Sequence, residues 1–500
     1  MAIEGGNTLN ELRCPGREPI GVAVRYLSTR DGRANPALYA FEDVLLAGLA
    51  GDGGLFVAET LESLDRATMH GLAGLSYAEL AARVMALFTG DAFDIPELRR
   101  LTAAAYGNFD HTAVAPLVQL DERLWLLELF HGPTLAFKDL ALQLVGLLFD
   151  AVLARRGEHV TIVGATSGDT GSAALAACRD KAALDIFILY PEGRISEVQR
   201  RQMTTLDAAN AYALAIEGNF DDCQDIVKAL FADERLRREL NLSAVNSINF
   251  ARVAAQIVYY FAAGLALGAP LRSVSFSVPT GNFGNVYAAH LARALGLPIA
   301  RLVIGTNAND ILARYLARGA MTIAPVTPSL SPSMDIQVAS NFERLLFELK
   351  DHNGAAVTAA LQAFRQTGAL PADEQSWRRA SRLFAGHRVD DAATLDTMAD
   401  TYRRSGVLID PHTAVAVAAA RAEVQEGGDT SPMVALATAH PAKFPDAVER
   451  AIGIRPACPP ALADILDKRE RTTILPNDIG AVARFVRAHA RRTRPNLGAA

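Results

Sequence analysis

Residues 159–191, HVTIVGATSGDTGSAALAACRDKAALDIFILYP, contain two β-rich runs separated by a glycine-rich turn and an alanine-rich helical pattern. Alternation of strand and helix patterns on this scale predicts a βαβ unit, in which a helix joins two parallel strands. The alternation continues to about residue 231, and a second series begins with the strand pattern SVSFSVP at 273–279. We therefore predict an α/β fold with two tandem parallel-sheet domains.

The remaining segments are organised around these two units. Before about residue 112, the runs FEDVLLAGLA, YAELAARVMALFTG and IPELRRLTAAAYG carry apolar residues at helical spacing, which predicts a mainly helical N-terminal domain. The uncharged stretch at 253–271 is interrupted by glycines and Pro270, and we interpret it as a buried core helix rather than a membrane span. The predicted divisions are an extension at 1–22, the helical domain at 23–111, the first α/β domain at 112–268, the second at 269–480 and a basic tail at 481–500, interpreted as a fraying helix end.

Composition limits the classes of function. Half of the 500 residues are hydrophobic, which argues against extensive disorder, and a net charge of −6 argues against a nucleic-acid partner. The beginning of the chain lacks the apolar core of a secretory signal. We expect a reduced, cytoplasmic protein that binds a small molecule and neither nucleic acid nor membrane. The four cysteines, Cys14, Cys178, Cys223 and Cys458, are too far apart in the sequence to form a short-spaced metal-binding motif or a redox-active CxxC motif.

One lysine stands out by its position. The segment ELFHGPTLAFKD at 128–139 follows a strand pattern and precedes a long helical one, which places Lys138 at the start of a helix. The helix dipole and the apolar neighbours disfavour a cation there, so Lys138 is a candidate for a depressed pKa and for Schiff-base chemistry. A surface lysine at a helix start is the alternative.

Two glycine-rich turns follow strands in the same way. GATSGDTGS at 164–172 and VPTGNFGN at 278–285 each lead into a helical pattern, where free backbone N–H groups can hold an anion. The first lacks the Gly-Lys-Ser/Thr of a nucleotide-binding loop, and the second lacks the spacing of a dinucleotide site. We expect these turns to bind a carboxylate or a monophosphate. The spacing of His, Cys, Asp and Glu residues does not predict a metal site.

Taken in order, HGPTLAFKD, GATSGDTGSA, VPTGNFGN and ATAHPAKF resemble the signature segments of the threonine synthase family. Further resemblance lies in YLSTRDG at 26–32, YPEGRISEVQRRQM at 190–203 and NSINFARVAAQIVYY at 246–260. The similar region runs from about residue 25 to about residue 451. The resemblance implies a fold-type-II enzyme, similar to the β subunit of tryptophan synthase, with pyridoxal 5'-phosphate as cofactor.

The resemblance also implies a role for individual residues. Lys138 would hold the cofactor as a Schiff base and act as the catalytic base, and Thr438 would lie beside the pyridine nitrogen. Asp169 could bond to the phenolic oxygen or the imine. The cofactor phosphate would be bound by Gly281, Asn282, Phe283, Gly284 and Asn285. The substrate carboxylate would be bound by Ser167, Gly168, Asp169 and Thr170, and the substrate phosphate by Asn249 and Arg252, for which a capping Asn and an outward-facing helix Arg are the alternatives.

The implied reaction converts O-phospho-L-homoserine and water into L-threonine and phosphate, the last step of threonine biosynthesis. One alternative is a related phospho-lyase that releases 2-oxobutyrate, which would keep the same motifs. A second alternative is a non-catalytic binding protein on the same fold, which would be expected to have lost the lysine or the phosphate cradle. The sequence leaves the oligomeric state open between monomer and homodimer.

Overall fold

The computed structural model describes residues 24–244 and 246–491, so the predicted extension at 1–22 lies outside the described residues. The strands are β1 Tyr26–Ser28, β2 Phe56–Ala58, β3 Leu117–Gln119, β4 Leu124–Glu128, β5 Val160–Ala165, β6 Leu184–Pro191, β7 Ala211–Glu217, β8 Leu242–Ser243, β9 Val274–Pro279, β10 Ile299–Thr306, β11 Phe384–Arg388, β12 Met433–Ala437 and β13 Thr473–Pro476.

The helices are α1 Phe41–Ala47, α2 Arg66–His70, α3 Tyr77–Thr89, α4 Ile95–Tyr106, α5 Lys138–Arg156, α6 Asp169–Cys178, α7 Glu197–Thr204, α8 Phe220–Ala232, α9 Glu234–Leu240, α10 Phe250–Ala266, α11 Gly284–Ala294, α12 Ile311–Arg318, α13 Phe342–Leu349, α14 Gly354–Thr367, α15 Glu374–Ser381, α16 Asp391–Ser405, α17 Pro411–Glu426, α18 Pro445–Ile452, α19 Pro460–Leu466 and α20 Ile479–His489. Short 3₁₀ turns lie at Gly90–Ala92, Pro332–Met334 and Pro441–Lys443.

Two parallel sheets confirm the predicted α/β class. One sheet has the strand order β11-β10-β9-β12-β4-β3, in which β3 alone runs antiparallel to its neighbour. The other has the order β13-β7-β6-β5-β8 and is parallel throughout. Strands such as β6 and β12 are buried at every residue, as expected where helices cover both faces of a parallel sheet.

The two sheets are not consecutive along the chain, which differs from the predicted tandem arrangement. The strand β4, assigned to the first α/β domain, pairs with β12 in the six-stranded sheet. The strand β13, assigned to the second, pairs with β7 in the five-stranded sheet. Three of the five β4 residues are buried, and the strand lies between β3 and β12 in the sheet. The pairing of β4 with β12 joins residues that are about 300 positions apart in the chain, so local sequence does not indicate it. The predicted boundary between residues 268 and 269 therefore separates β4 from β12, with which it pairs.

The N-terminal region contains the helices α1 to α4 and a two-stranded antiparallel sheet of β1 and β2. Its helices α3 and α4 pack against α10 and α5, and their apolar side chains belong to the same hydrophobic cluster as the sheet domains. The helix α10 is buried along nearly its whole length, which matches its interpretation as a core helix. In the described part of the chain, no helix is both long and apolar enough to cross a membrane.

The start of the predicted basic tail is packed rather than frayed. Val482 and Val486 of α20 are buried against the five-stranded sheet and α8. Arg491 donates from its backbone N and its Nε to the carboxylate of Asp185, at 2.6 and 2.7 Å. This carboxylate on β6 anchors the end of α20, and residues 492–500 lie outside the described residues.

Candidate active site

Lys138 lies where the ends of two neighbouring strands meet. The loop between β4 and α5 is held against the end of β12, because Leu129 N donates to Ala437 O and Phe137 N donates to Thr438 O, both at 2.9 Å. This pairing brings Lys138, the first residue of α5, next to the segment that contains Thr438. Both side chains belong to buried residues.

A buried carboxyl stabilises the loop before Lys138. Asp139 accepts hydrogen bonds from the backbone N of Thr134 at 2.8 Å and from its hydroxyl at 2.7 Å. Burial raises the pKa of Asp139 to about 6, although the Thr134 hydrogen bonds act in the opposite direction. The carboxyl closes the loop into a fixed turn and so determines where Lys138 begins its helix.

The first glycine turn is shaped by Thr166. Its hydroxyl oxygen accepts from the backbone N of Gly168 at 3.0 Å and of Gly171 at 2.9 Å. Gly168 has φ of 145°, a conformation that side chains other than hydrogen disfavour. A Cβ on Gly168 would also lie 2.4 Å from the amide of Gln199. The close approach lets Gln199 Nε2 donate to Asp169 Oδ1 at 2.9 Å.

Asp169 connects two buried lysines. Its Oδ1 lies 2.8 Å from Lys443 Nζ, and its Oδ2 lies 3.7 Å from Lys138 Nζ. Burial raises the pKa of Asp169, but the Lys443 and Lys138 charges outweigh this effect and hold the pKa well below its usual range. Burial lowers the pKa of Lys138; Asp169 opposes that change, whereas Lys443 and Arg252 reinforce it. The site therefore combines a firmly ionised carboxylate with a lysine that loses its proton readily.

The second glycine turn forms an anion cradle at the start of α11. Phe283 has a left-handed φ of 65°, and its ring packs against Phe342 at a centroid distance of 5.4 Å. This conformation turns the chain sharply into Gly284, and no side chain of the described residues caps the helix there. The N–H groups of the first turn consequently remain available for an anion. A Cβ on Gly281 would lie 2.8 Å from Ser333 O, so only glycine fits beside that loop.

Asn285 contributes a directed donor to this cradle. Its Oδ1 accepts from the hydroxyls of Tyr259 and Tyr260, the latter at 2.7 Å. With the oxygen occupied, the Nδ2 group is a donor, and it has no hydrogen-bond partner among the described residues. The other loop member, Asn282, is anchored through its carbonyl oxygen, which accepts from the backbone N and the Nδ2 of Asn341 at 3.0 and 2.9 Å.

Arg252 on α10 is a buried cation with unpartnered donor atoms among the described residues. Its Nε and Nη1 atoms have no hydrogen-bond partner in the described part of the chain. Burial lowers the pKa of Arg252 to about 10. The predicted alternative of an outward-facing helix arginine is wrong, because this residue is 4% exposed.

Asn249, the other predicted phosphate ligand, is instead the N-cap of α10. Its Oδ1 accepts from Ala251 N at 3.0 Å, and its Nδ2 donates to Leu45 O at 2.8 Å. Both polar groups are thus bonded to the backbone, as in the capping alternative. In the remaining predicted loop, Ser167 is exposed and Thr170 is partly buried in the first turn of α6.

Sequence reasoning missed Lys443, Gln199 and the two tyrosines that orient Asn285. Each of them lies inside a segment that had been recognised by its resemblance. Lys443 follows the end of β12 by a few residues, the position at which parallel sheets present ligand-binding groups. That position was the available signal for Lys443, whereas the tyrosines look like ordinary core residues of α10.

Comparison with known proteins identifies the class. The family model described as pyridoxal-phosphate dependent enzyme matches residues 109–439, and the chain is a fold-type-II member of that class. The models of the threonine synthase N terminus and C-terminal region match residues 25–106 and 413–486, and the chain belongs to the threonine synthase family. The family assignment made from the sequence is confirmed.

Individual relatives agree over nearly the whole chain. The threonine synthase of Pseudomonas aeruginosa is 55% identical, over 94% of this chain and 100% of its own length. The crystal structure of pyridoxal-phosphate-bound threonine synthase from Brucella melitensis has a TM-score of 0.91 at 48% identity, covering 94% of this chain and 100% of that one. The yeast threonine synthase structure has a TM-score of 0.89 at 38% identity, covering 93% and 99%.

Proposed function

We propose that this protein uses pyridoxal 5'-phosphate to convert O-phospho-L-homoserine and water into L-threonine and phosphate. The observation that carries the proposal is a buried cluster of basic side chains with few protein partners. Lys138, Lys443 and Arg252 are all buried, and among the described residues only Asp169 forms an ion pair with any of them. Buried charges need partners, so the site suits anionic ligands such as phosphates and a carboxylate.

The residues present fit the cofactor. The amine of Lys138 would form the Schiff base, the turn from Gly281 to Asn285 would hold the phosphate, and Thr438 would lie beside the ring nitrogen. The unpartnered Nδ2 of Asn285 and the uncapped start of α11 are donors that an anion in the cradle would satisfy. When bound, the cofactor supplies a carbonyl carbon for Schiff-base formation and a conjugated ring that withdraws electrons from the substrate.

Lys138 would move the protons of the reaction. The overall change breaks the Cγ–O bond, joins the oxygen of water to Cβ and turns Cγ into a methyl carbon, so protons must be exchanged at Cα, Cβ and Cγ. Burial lowers the pKa of Lys138, which favours the neutral amine that accepts a proton. The ionised Asp169, 3.7 Å from Lys138 Nζ, would stabilise the ammonium form each time the lysine is protonated.

Arg252 would bind the phosphate of the substrate. A planar guanidinium with unpartnered Nε and Nη1 atoms presents two donors to phosphate oxygens. Asn249 is omitted from this role because its side chain caps α10. The turn from Ser167 to Thr170 would bind the substrate carboxylate. The described cysteines Cys178, Cys223 and Cys458 are free thiols, the first two buried and the third exposed, which suits the cytoplasmic location we propose.

The test is to supply O-phospho-L-homoserine to the cofactor-loaded protein and to quantify phosphate, threonine and 2-oxobutyrate together. We expect threonine to match phosphate one for one. Phosphate matched by 2-oxobutyrate would contradict the proposal and indicate the phospho-lyase, and the absence of phosphate release would reject the substrate. Lys138→Ala should abolish product formation, whereas Lys350→Met serves as a control, because Lys350 lies at the end of α13, pairs with Asp373 and has no role in the proposed site.

A further inference from the structure

Lys443 is buried more completely than the lysine proposed to carry the cofactor. Its side chain is 0% exposed, compared with 11% for Lys138. A buried ammonium is costly unless it is compensated by an opposite charge and hydrogen bonds. Here Nζ lies 2.8 Å from Asp169 Oδ1 and donates to Thr134 O, also at 2.8 Å.

The ammonium of Lys443 joins three separate parts of the site. Lys443 belongs to the 3₁₀ turn after β12, which is capped by His440 Nδ1 accepting from Ala442 N at 3.1 Å. Thr134 lies in the loop before α5, and Asp169 begins α6. The contact with Lys443, together with the hydrogen bond from Gln199, consequently fixes the position of the Asp169 carboxylate relative to Lys138.

The charged groups around Lys138 come from four parts of the chain. Asp169 on α6 attracts its proton, whereas Lys443 after β12 and Arg252 on α10 repel it. Asp139 on α5 is held by Thr134 and is affected by the charge of Lys443. Without Lys443, the buried Asp169 would have Lys138 as its only ion-pair partner among the described residues, and such a pair would hold Lys138 as an ammonium ion.

We propose that Lys443 is a positioning residue that neutralises Asp169, turns its Oδ2 towards Lys138 and thereby keeps Lys138 available as a neutral amine. This inference rests on the proposed function of Lys138. Lys443 touches neither substrate nor cofactor in this role. It acts on Lys138 by offsetting the charge of Asp169 and by repelling the ammonium form of Lys138 directly, so its effect must become smaller but keep its sign when Asp169 carries no charge.

The test follows Schiff-base formation rather than turnover. Pyridoxal phosphate is added to the cofactor-free protein over a range of pH, and the rate at which the yellow absorption appears gives the pH at which half of Lys138 is neutral. In Lys443→Met this midpoint should rise by about one pH unit or more, since a like charge is removed and Asp169 is left unopposed. Lys443→Arg retains the charge and should restore the midpoint to near that of the wild type.

Asp169→Asn and the double variant Asp169→Asn/Lys443→Met keep the test valid if Lys443→Met does not fold. Asp169→Asn leaves Lys138 beside two cations, so the midpoint should fall below the wild-type value, and removing Lys443 in this background should raise it again. Equal midpoints in these two variants would overturn the proposal, as would a folded Lys443→Met with the wild-type midpoint. The control Lys350→Met should titrate like the wild type. Threonine formation by the wild type is measured separately, so a failure here with threonine still formed would reject only the role of Lys443.

Discussion

Replacing Arg252 by Met should stabilise the cofactor-free protein, because it removes a buried charge whose Nε and Nη1 atoms have no hydrogen-bond partner among the described residues. Burial lowers the pKa of Arg252 from its usual range above 12 to about 10. A gap of about two pH units corresponds to about 3 kcal/mol of destabilisation of the folded state by the charged side chain at neutral pH. Met keeps most of the apolar stem, so we expect a gain of about 2–3 kcal/mol in the free energy of unfolding.

Arg344 is a matched control for this measurement. It is equally buried, and burial lowers its pKa to about 10 as well. Its guanidinium, however, donates from Nε to Phe56 O at 2.9 Å and from Nη2 to Ile248 O at 2.6 Å. Arg344→Met should therefore destabilise the protein by about 3–5 kcal/mol, since it leaves buried acceptors without donors.

The assay is urea unfolding of the cofactor-free wild type and of both variants. In the cofactor-loaded proteins, inorganic phosphate should raise the unfolding midpoint of the wild type but not that of Arg252→Met. The KM for O-phospho-L-homoserine should rise by about 30-fold or more in Arg252→Met, as expected for the loss of about 2 kcal/mol or more from a charged hydrogen bond. A less stable Arg252→Met variant that is still stabilised by phosphate would refute the reasoning.

Three further changes have defined outcomes. Lys138→Ala should lose the bound yellow colour as well as activity, and a variant that stays yellow after gel filtration would place the Schiff base elsewhere. Gly168→Ala should strain the turn by about 1–3 kcal/mol, because the φ of 145° is unfavourable for alanine and the new Cβ displaces Gln199. As a result, kcat/KM should fall at least about tenfold while the cofactor still binds. Unchanged kinetics would show that the turn adapts to the substitution. Burial raises the pKa of Asp139 to about 6, whereas the same carboxyl in an unfolded chain has a pKa near 4. Protonated Asp139 therefore stabilises the folded state below about pH 4, and this stabilisation is lost as the pH rises through about 6. Asp139→Asn should remove this slope, which is seen by comparing urea midpoints at about pH 4.5 and pH 7; a difference between the two proteins that does not change with pH would contradict it.

The local parts of this fold could be predicted from the sequence. The strand, turn and helix patterns around Lys138, Gly168 and Gly284 depend on residues that are close in the chain, and all three turns lie at strand ends as expected. The long-range pairings could not be predicted in this way. The strand β4 precedes the whole five-stranded sheet in the chain but pairs with β12. This partner could not be predicted, because several hydrophobic strands have similar sequence patterns and none of the patterns identifies the neighbouring strand.

The same distinction applies to the site. The motifs indicate Lys138 and the phosphate cradle, since the chemistry of each depends on one short segment. The role of Lys443 depends on burial and on contacts with Asp169 and Thr134, which lie roughly 270 to 310 residues away in the chain. Its place after β12 indicates a residue near the site but does not specify that role. Asn249 looked like a phosphate ligand because its type suits that role, but its backbone position makes it a helix cap.

The most direct test of the proposed chemistry is to run the reaction in water labelled with ¹⁸O and to analyse the products by mass spectrometry. Cleavage of the Cγ–O bond and addition of water at Cβ predict one ¹⁸O atom in the hydroxyl group of threonine and none in the released phosphate. Label in the phosphate, with homoserine as the organic product, would show hydrolysis at phosphorus and would contradict the function proposed for this protein.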